Sequence, residues 1–206
     1  MQLARLAHSS LGAFRAPFAL SAALVAVQLL GASAWESLRY ERASVLAGEL
    51  WRLVTAHLIH IDAVHMAWNL AGLALVAWLF AREFSARGWF VILAASTAAV
   101  DAGFLVFEPQ LEWYVGFSGV LHGLAAAGVL AWLVRYRDPA TAIVAACLIA
   151  KLAWEHFAGP LPFTSGTLSV PVVHQAHSYG ALGGLAAGAG LLWRQRATAP
   201  RYNRAS

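Results

Sequence analysis

A serine and a histidine lie in two glycine-rich segments that are far apart in the sequence. Ser118 lies in the sequence GFSG between Gly116 and Gly119, and His177 lies in the sequence AHSYGALGG. A serine hydroxyl becomes a nucleophile when a base withdraws its proton, and imidazole suits that task because it titrates near neutrality. Glycines allow close backbone approach, and free amides at a helix start can hold an anion. We therefore predict that Ser118 is a nucleophile and His177 its base.

A second pair of polar residues could stabilise the oxyanion that forms when a serine attacks a carbonyl group. His65 and Asn69 are four residues apart, so they share one face of a helix, and both side chains can donate a hydrogen bond. The backbone amide of Ser118 is a third candidate donor. Asn69 could instead simply bridge two helices.

Small residues at four-residue intervals predict that two helices approach each other closely. Such rows form smooth helix faces, which are typical of helix contacts in membranes. The rows are Gly180, Gly184 and Gly188 in one segment and Gly119, Gly123 and Ala127 in the other. Their contact would bring His177 beside Ser118. A serine among small residues can also serve only to pack helices together. The pattern therefore indicates catalysis only in combination with a histidine that can act as the base.

The composition predicts that these helices lie in a membrane. The chain has 206 residues, of which 60% are hydrophobic and only 12% charged, too few to cover a soluble fold. Six apolar windows approach the roughly 20 residues that a spanning helix needs. They cover residues 17–34, 63–81, 88–107, 113–134, 139–157 and 174–193. We expect a single all-α domain over residues 1–206, a bundle of six transmembrane helices with a short polar tail at 194–206.

The basic residues predict the orientation of the bundle. Most of the 14 Lys and Arg residues precede the first window, follow the sixth or lie between windows two and three or four and five. Basic segments stay on the cytoplasmic side, so both termini should be cytoplasmic. Membrane topology and contact with anionic lipid headgroups explain the excess of basic residues. We therefore expect the protein to interact with the lipid bilayer and not with nucleic acid. The outward ends of windows two, four and six then hold His65, Ser118 and His177 at one level, roughly 5 to 10 Å below the surface.

Other polar residues within the apolar windows can be interpreted as either structural or functional. Lys151 and Glu155 are four apart, which favours a mutually neutralising pair, although they could recognise substrate or an acceptor. The single cysteine, Cys147, cannot form an internal disulfide and is read as a packing residue. The connection at 159–173 contains three prolines, so we expect a mobile outside loop rather than a helix.

Taken together, these motifs resemble the rhomboid superfamily in order along most of the chain. The pair Trp51 and Arg52 is similar to the family's first-loop motif, and His60, His65 and Asn69 resemble its series entering the second span. GFSG resembles the nucleophile motif and AHSYG the base motif. The resemblance implies an intramembrane serine protease with a Ser118–His177 dyad, in which no acid is needed to orient the histidine. It also implies an oxyanion site made by His65, Asn69 and the Ser118 amide.

A narrower resemblance is to the rhombosortase branch. The sequences GVLHG at 119–123 and KLAWE at 151–155 are similar to that branch, as is AHSYGALGG. This resemblance implies membrane-anchored bacterial substrates with a C-terminal Gly-Gly motif, a hydrophobic tail and a link to type II secretion. It also implies the bacterial inner membrane, with the active site toward the periplasm. Water or another nucleophile could resolve the acyl-enzyme.

One residue departs from the pattern of many rhomboids. His122 stands where a tyrosine commonly stacks on the catalytic histidine, one helical turn from Ser118. We expect its ring to fill the stacking position, although it could instead support the base or bind substrate. We group His60, His122, Gly116, Gly119, Lys151 and Glu155 as supporting or substrate-binding residues.

Two other classes of protein remain as alternatives. Eight histidines could indicate a metal-dependent membrane enzyme, but the sequence has no HExxH motif and no cysteine pair. Intramembrane Asp101, Lys151 and histidine residues could indicate a small transporter, but no inverted repeat is evident. We therefore expect no metal and no cofactor.

Overall fold

The computed structural model describes residues 2–162 and 172–198. Its helices and strands follow in this order: α1 (Gln2–Gln28), α2 (Ala32–Leu38), β1 (Tyr40–Glu41), α3 (Arg42–Leu46), α4 (Arg52–Thr55), α5 (Ala63–Phe80), α6 (Ala86–Phe107), β2 (Trp113–Tyr114), α7 (Ser118–Arg135), α8 (Pro139–Ala158) and α9 (Gln175–Thr198). Most of the predicted loop at 159–173 lies outside the described residues.

Within the described residues, four helices are long and apolar enough to cross a bilayer, namely α5, α6, α7 and α8. This finding agrees with a multi-pass membrane protein. The first predicted window ends at Gln28 rather than at residue 34, because a turn follows and α2 begins at Ala32; its apolar part, Gly12–Gln28, is short for a span. The sixth window lies in α9, which is less apolar because it is rich in glycine and ends with arginines. Six spans and the orientation of the termini therefore remain predictions.

The helix α7 lies at the centre of the bundle. It packs most extensively against α9 and also contacts α5, α6 and α8. Half of its apolar window is buried, more than in the other three helices long and apolar enough to span. Its buried side chains Val120, Leu121 and Leu124 join Leu73 of α5 and Ile92 of α6 in the largest described core cluster. Any residue at the start of α7 is therefore surrounded by the rest of the bundle.

Side chains cap the starts of three of these helices but not the start of α7. Asp62 accepts from the His65 amide at 2.7 Å, Ser85 accepts from the Gly88 amide at 3.2 Å, and Asp138 accepts from the Thr141 amide at 2.8 Å. Each cap satisfies an amide that the helix itself leaves unpaired. Phe117 precedes α7 and provides no side-chain cap. The first amides of α7 therefore remain suited to an anionic group.

The segment before α5 folds back onto the bundle and is not purely helical. The strands β1 and β2 pair in antiparallel fashion, with Tyr40 opposite Tyr114, which is a small departure from the all-α prediction. Arg52 is buried and donates to the carbonyl oxygens of Glu36 and Arg39, both at 2.9 Å. His57 Nε2 lies 3.2 Å from a carboxylate oxygen of Asp101 on α6. These contacts attach the segment to the side of the bundle where α7 begins.

Candidate active site

The structure brings Ser118 and His177 together, although 59 residues separate them in the sequence. Ser118 is the first residue of α7, and His177 lies in the first turn of α9. The distance from Ser118 Oγ to His177 Nε2 is 3.0 Å, which is within hydrogen-bonding range. His177 is buried, whereas Ser118 is half-buried. A hydroxyl that donates to Nε2 is placed to lose its proton to that nitrogen.

The contact between α7 and α9 depends on the two rows of small residues. A Cβ atom on Gly180 would lie 1.9 Å from the carbonyl oxygen of Gly119, and one on Gly184 would lie 2.0 Å from that of Gly123. Real Cβ atoms do not approach a carbonyl oxygen so closely. Only glycine at these positions allows the backbone contact, and this contact sets the separation of Ser118 and His177.

Gly116 shapes the backbone that leads into Ser118. Its φ angle of +124° is rare for residues with a side chain, and a Cβ atom there would lie 2.6 Å from the His65 ring. The Gly116 amide donates to the carbonyl oxygen of Ala56 at 2.9 Å. The turn is therefore held by the segment before α5 and lies directly against His65.

Tyr114 is a site residue that sequence reasoning missed. Its hydroxyl donates to the carbonyl oxygen of Gly116 at 2.7 Å. Burial raises the pKa of Tyr114, so the hydroxyl stays protonated as a donor. The sequence signal was an aromatic residue four positions before the serine, but only the pairing of β1 with β2 turns it toward Gly116.

The predicted oxyanion donors are placed differently from each other. His65 lines a cavity of about 320 Å³ together with Ser118, Trp113, Tyr114 and Val173. Asn69 is buried, but its side-chain Nδ2 donates to the carbonyl oxygen of His65 at 2.9 Å. In this arrangement the His65 ring borders the same cavity as Ser118, whereas the Asn69 amide is engaged within its own helix.

His60 and His122 both pack against histidines of the site. The His60 ring is fully buried and meets the His65 ring edge to face at 5.0 Å between centroids. The His122 ring stacks on the His177 ring, with centroids 4.1 Å apart and planes 20° from parallel. His122 Nδ1 also lies 2.7 Å from the carbonyl oxygen of Ser118. His122 thus occupies the predicted stacking position.

A carboxylate stands on the far side of His177 from Ser118. Glu155 Oε2 lies 2.8 Å from His177 Nδ1 and 2.5 Å from Lys151 Nζ, so the predicted Lys151–Glu155 pair also contacts the histidine. The expectation of a dyad without an acid did not include this contact. The spacing in the sequence predicted only the pairing of Glu155 with Lys151. The contact with His177 depends on the register of α8 against α9, which is not visible in the sequence.

Three side chains at the site could in principle hold a metal ion. Ligand atoms of His122, Glu155 and His177 lie within 4.8 Å of one another. Imidazole lone pairs lie in the ring plane, so two stacked, nearly parallel rings do not aim them at a common point between the rings. Both ring nitrogens of His177 also have close protein partners. This geometry fits a hydrogen-bonded network better than a metal centre.

Comparison with known proteins agrees with the motifs. The family model described as Rhomboid domain matches residues 47–194. The chain is also 29% identical over 140 residues to the protein named "Putative rhomboid protease YdcA" from Bacillus subtilis (strain 168), an alignment that covers 68% of this chain. It spans 66% of that relative, which is just under two thirds of its length. Because the family match covers well over half of the chain and contains the whole of α5 to α8 and both members of the Ser118–His177 pair, the chain belongs to the rhomboid family.

Proposed function

We propose that this chain is an intramembrane serine protease in which Ser118 is the nucleophile and His177 the general base. The observation that carries the proposal is the 3.0 Å contact between Ser118 Oγ and His177 Nε2 beside a cavity. A buried imidazole next to a serine at an uncapped helix start is an arrangement suited to acyl transfer. Membership of the rhomboid family supports the same reaction.

The reaction would proceed through an acyl-enzyme. His177 Nε2 takes the proton of Ser118 as the oxygen attacks the substrate carbonyl carbon. The oxyanion is stabilised by the Ser118 amide and the His65 ring, joined by Asn69 if its amide turns away from the His65 carbonyl. His177 then gives the proton to the leaving amine as the C–N bond breaks. Water or another nucleophile then attacks the acyl group while His177 takes its proton, and His177 returns a proton to the Ser118 oxygen as the acyl–serine bond breaks.

We further propose membrane-anchored protein substrates with C-terminal hydrophobic tails, of the Gly-Gly type that rhombosortase-like proteins are implied to process. The support is the resemblance of GVLHG, KLAWE and AHSYGALGG to that branch. In this proposal the protein lies in the bacterial inner membrane with both termini cytoplasmic and the site toward the periplasm, and its products enter type II secretion. Cleavage of a reporter with a Gly-Gly motif, an apolar helix and a basic tail tests it, with a Gly-Gly→Val-Val reporter as the control.

The dyad is tested by labelling with a serine-directed fluorophosphonate in detergent or lipid. We expect the native protein to label and the variants Ser118→Ala and His177→Ala to lose labelling, because the first lacks the nucleophile and the second its base. The variant Cys147→Ser serves as a control, since Cys147 is exposed and does not line the cavity, so its loss should leave labelling unchanged. Equal labelling of all four proteins would rule out the dyad.

The His122, Glu155 and His177 cluster makes a metal-dependent enzyme the second candidate. Treatment with a chelator separates the two functions. The protease requires that fluorophosphonate labelling and reporter cleavage persist after chelation. Loss of both on chelation, with recovery on adding Zn²⁺, would favour the metal enzyme.

A further inference from the structure

The carboxylate of Glu155 is the least exposed charged group near the candidate dyad. Its side chain is 1% exposed, and that of His177 is 6% exposed. Burial of an ionised carboxylate is costly unless it is paired and hydrogen-bonded. Oε2 of Glu155 meets both requirements, because Lys151 Nζ lies at 2.5 Å and His177 Nδ1 at 2.8 Å. One carboxylate oxygen thus connects a lysine on its own helix with the histidine on α9.

The contact with Glu155 selects one tautomer of His177. A carboxylate accepts hydrogen bonds, so the short contact places the proton on Nδ1. The lysine also lies 3.3 Å from Nδ1, but a lysine can only donate and its contact with the carboxylate is shorter. With the proton on Nδ1, the lone pair of Nε2 faces Ser118 Oγ. This is the tautomer that a general base needs.

The helix positions also suit an orienting role. Glu155 lies in the last turn of α8, and His177 lies in the first turn of α9. The stacked ring of His122 limits tilting of the His177 plane, and a hydrogen bond to Nδ1 limits rotation within that plane. The two contacts therefore constrain different motions of the same ring.

We propose that Glu155 is a positioning residue, which holds the catalytic tautomer and orientation of His177 and is itself held in place by Lys151, so that the site works as a Ser–His–Glu triad rather than as an isolated dyad. This inference rests on the proposed protease function. In serine hydrolases whose histidine is oriented by a carboxylate, replacing that carboxylate with its amide lowers kcat by up to about 10⁴-fold. The carboxylate also stabilises the imidazolium that forms during the reaction.

The test compares Glu155→Gln, Lys151→Met and the double variant in the full-length protein. The maximal rate of fluorophosphonate labelling and the probe concentration at half-maximal rate are measured for each, together with Tm. We expect Glu155→Gln to lower the maximal rate about 10²- to 10⁴-fold while the half-saturating concentration stays within about twofold. Lys151→Met should cause a smaller loss, and the double variant should be as slow as Glu155→Gln.

The double variant decides between orientation and simple charge neutralisation. If Glu155 served only to neutralise Lys151, removal of both charges would restore the native rate, and the proposal would be overturned. A loss that appeared in the half-saturating concentration instead of the maximal rate would also overturn it. The matched control is Glu83→Gln. Glu83 is also buried, the substitution is the same carboxylate-to-amide change, and its partners are Trp132 and Arg135 rather than the candidate dyad. We expect this control to keep the native maximal rate.

Failure of this inference can be told apart from failure of the proposed function. If Ser118→Ala and His177→Ala abolish labelling while Glu155→Gln labels at the native rate, the dyad stands and only the role of Glu155 is wrong. If the first two variants label normally, the protease function itself is wrong. A drop in Tm for Glu155→Gln that was matched by Glu83→Gln, with labelling lost in both, would assign Glu155 a structural role instead.

Discussion

At the scale of single residues, every polar side-chain atom of the candidate dyad has a defined neighbour. Nε2 of His177 faces Ser118, Nδ1 faces Glu155, and the ring face is covered by His122. A histidine ring has only two nitrogens and two faces, so these contacts leave it little freedom. The rotamer of His177 is therefore determined by its neighbours before any substrate arrives, which is the condition for efficient general-base catalysis.

The ring of His122 offers a prediction about this support. Replacement with phenylalanine keeps an aromatic face on His177, whereas replacement with alanine removes it. A ring pair contributes about 0.5 to 1.5 kcal/mol, so we expect His122→Ala to label about 2- to 12-fold more slowly than His122→Phe. The measurement is the labelling rate of each variant, with Tm measured alongside to show that the two variants are equally stable. If His122→Phe were as slow as His122→Ala, the contact of Nδ1 with the Ser118 carbonyl, and not the ring face, would be the useful feature.

At the scale of elements, the glycine contacts between α7 and α9 determine where Ser118 and His177 lie. Gly180 and Gly184 each meet a backbone carbonyl of α7 at a distance that excludes any side chain. Where α9 meets α6, a Cβ atom on Gly183 would lie 2.5 Å from the Ala95 carbonyl oxygen. Because α9 carries small residues on both faces, it fits between two neighbouring helices.

Substitution of these glycines should separate the helices. We expect Gly184→Ala to destabilise the protein by about 1 to 3 kcal/mol through overpacking and to lower the labelling rate, because α9 must shift away from Ser118. Gly190→Ala on the same helix is the control, since nothing lies within 4 Å of its Cβ position. There the substitution should be neutral or stabilise by up to about 1 kcal/mol. Thermal unfolding followed by tryptophan fluorescence checks both, and equal effects of the two substitutions would contradict the packing argument.

At the scale of the whole molecule, this multi-pass membrane protein of the rhomboid family combines an apolar outer surface with a polar interior near one end. Exposed side chains of the bundle include Trp78, Phe90 and Phe157, which are 73%, 69% and 85% exposed and suit contact with lipid. The segment before α5 covers the polar end. The Gln28 side chain bonds both the amide and the carbonyl oxygen of His60, at 2.9 and 3.2 Å, and so attaches α1 to this segment.

The burial of His60 predicts how stability depends on pH. Burial, together with the nearby His65, lowers the pKa of His60 from 6.5 to about 3. As the pH falls, His60 therefore binds a proton in the unfolded chain at a higher pH than in the folded protein. Because protonation then favours the unfolded chain, folding stability should decrease between about pH 6.5 and pH 3, by up to about 1.4 kcal/mol per pH unit. Measurement of Tm against pH should show a shallower acid decline for His60→Phe than for the native protein. Parallel curves would show that another group causes the decline.

Much of the architecture could be predicted from the order and type of residues. The windows at 63–81, 88–107 and 139–157 correspond closely to α5, α6 and α8, because apolar runs of about 20 residues have few alternatives to a helix in a bilayer. The Ser118 and His177 motifs and their glycine rows were also visible, since close helix contact demands small residues at regular intervals. These are local properties of the chain, and periodicity is enough to recognise them.

Contacts that depend on helix register and side-chain direction could be decided only by the tertiary structure. The sequence alone did not reveal the approach of Glu155 to His177, the bond from Tyr114 to the Gly116 carbonyl or the engagement of Asn69 with its own helix. A helix rotates by about 100° per residue, so a shift of one position between α8 and α9 would turn Glu155 away from the site. Composition determines that helices form in a membrane, but only their packing determines which faces meet.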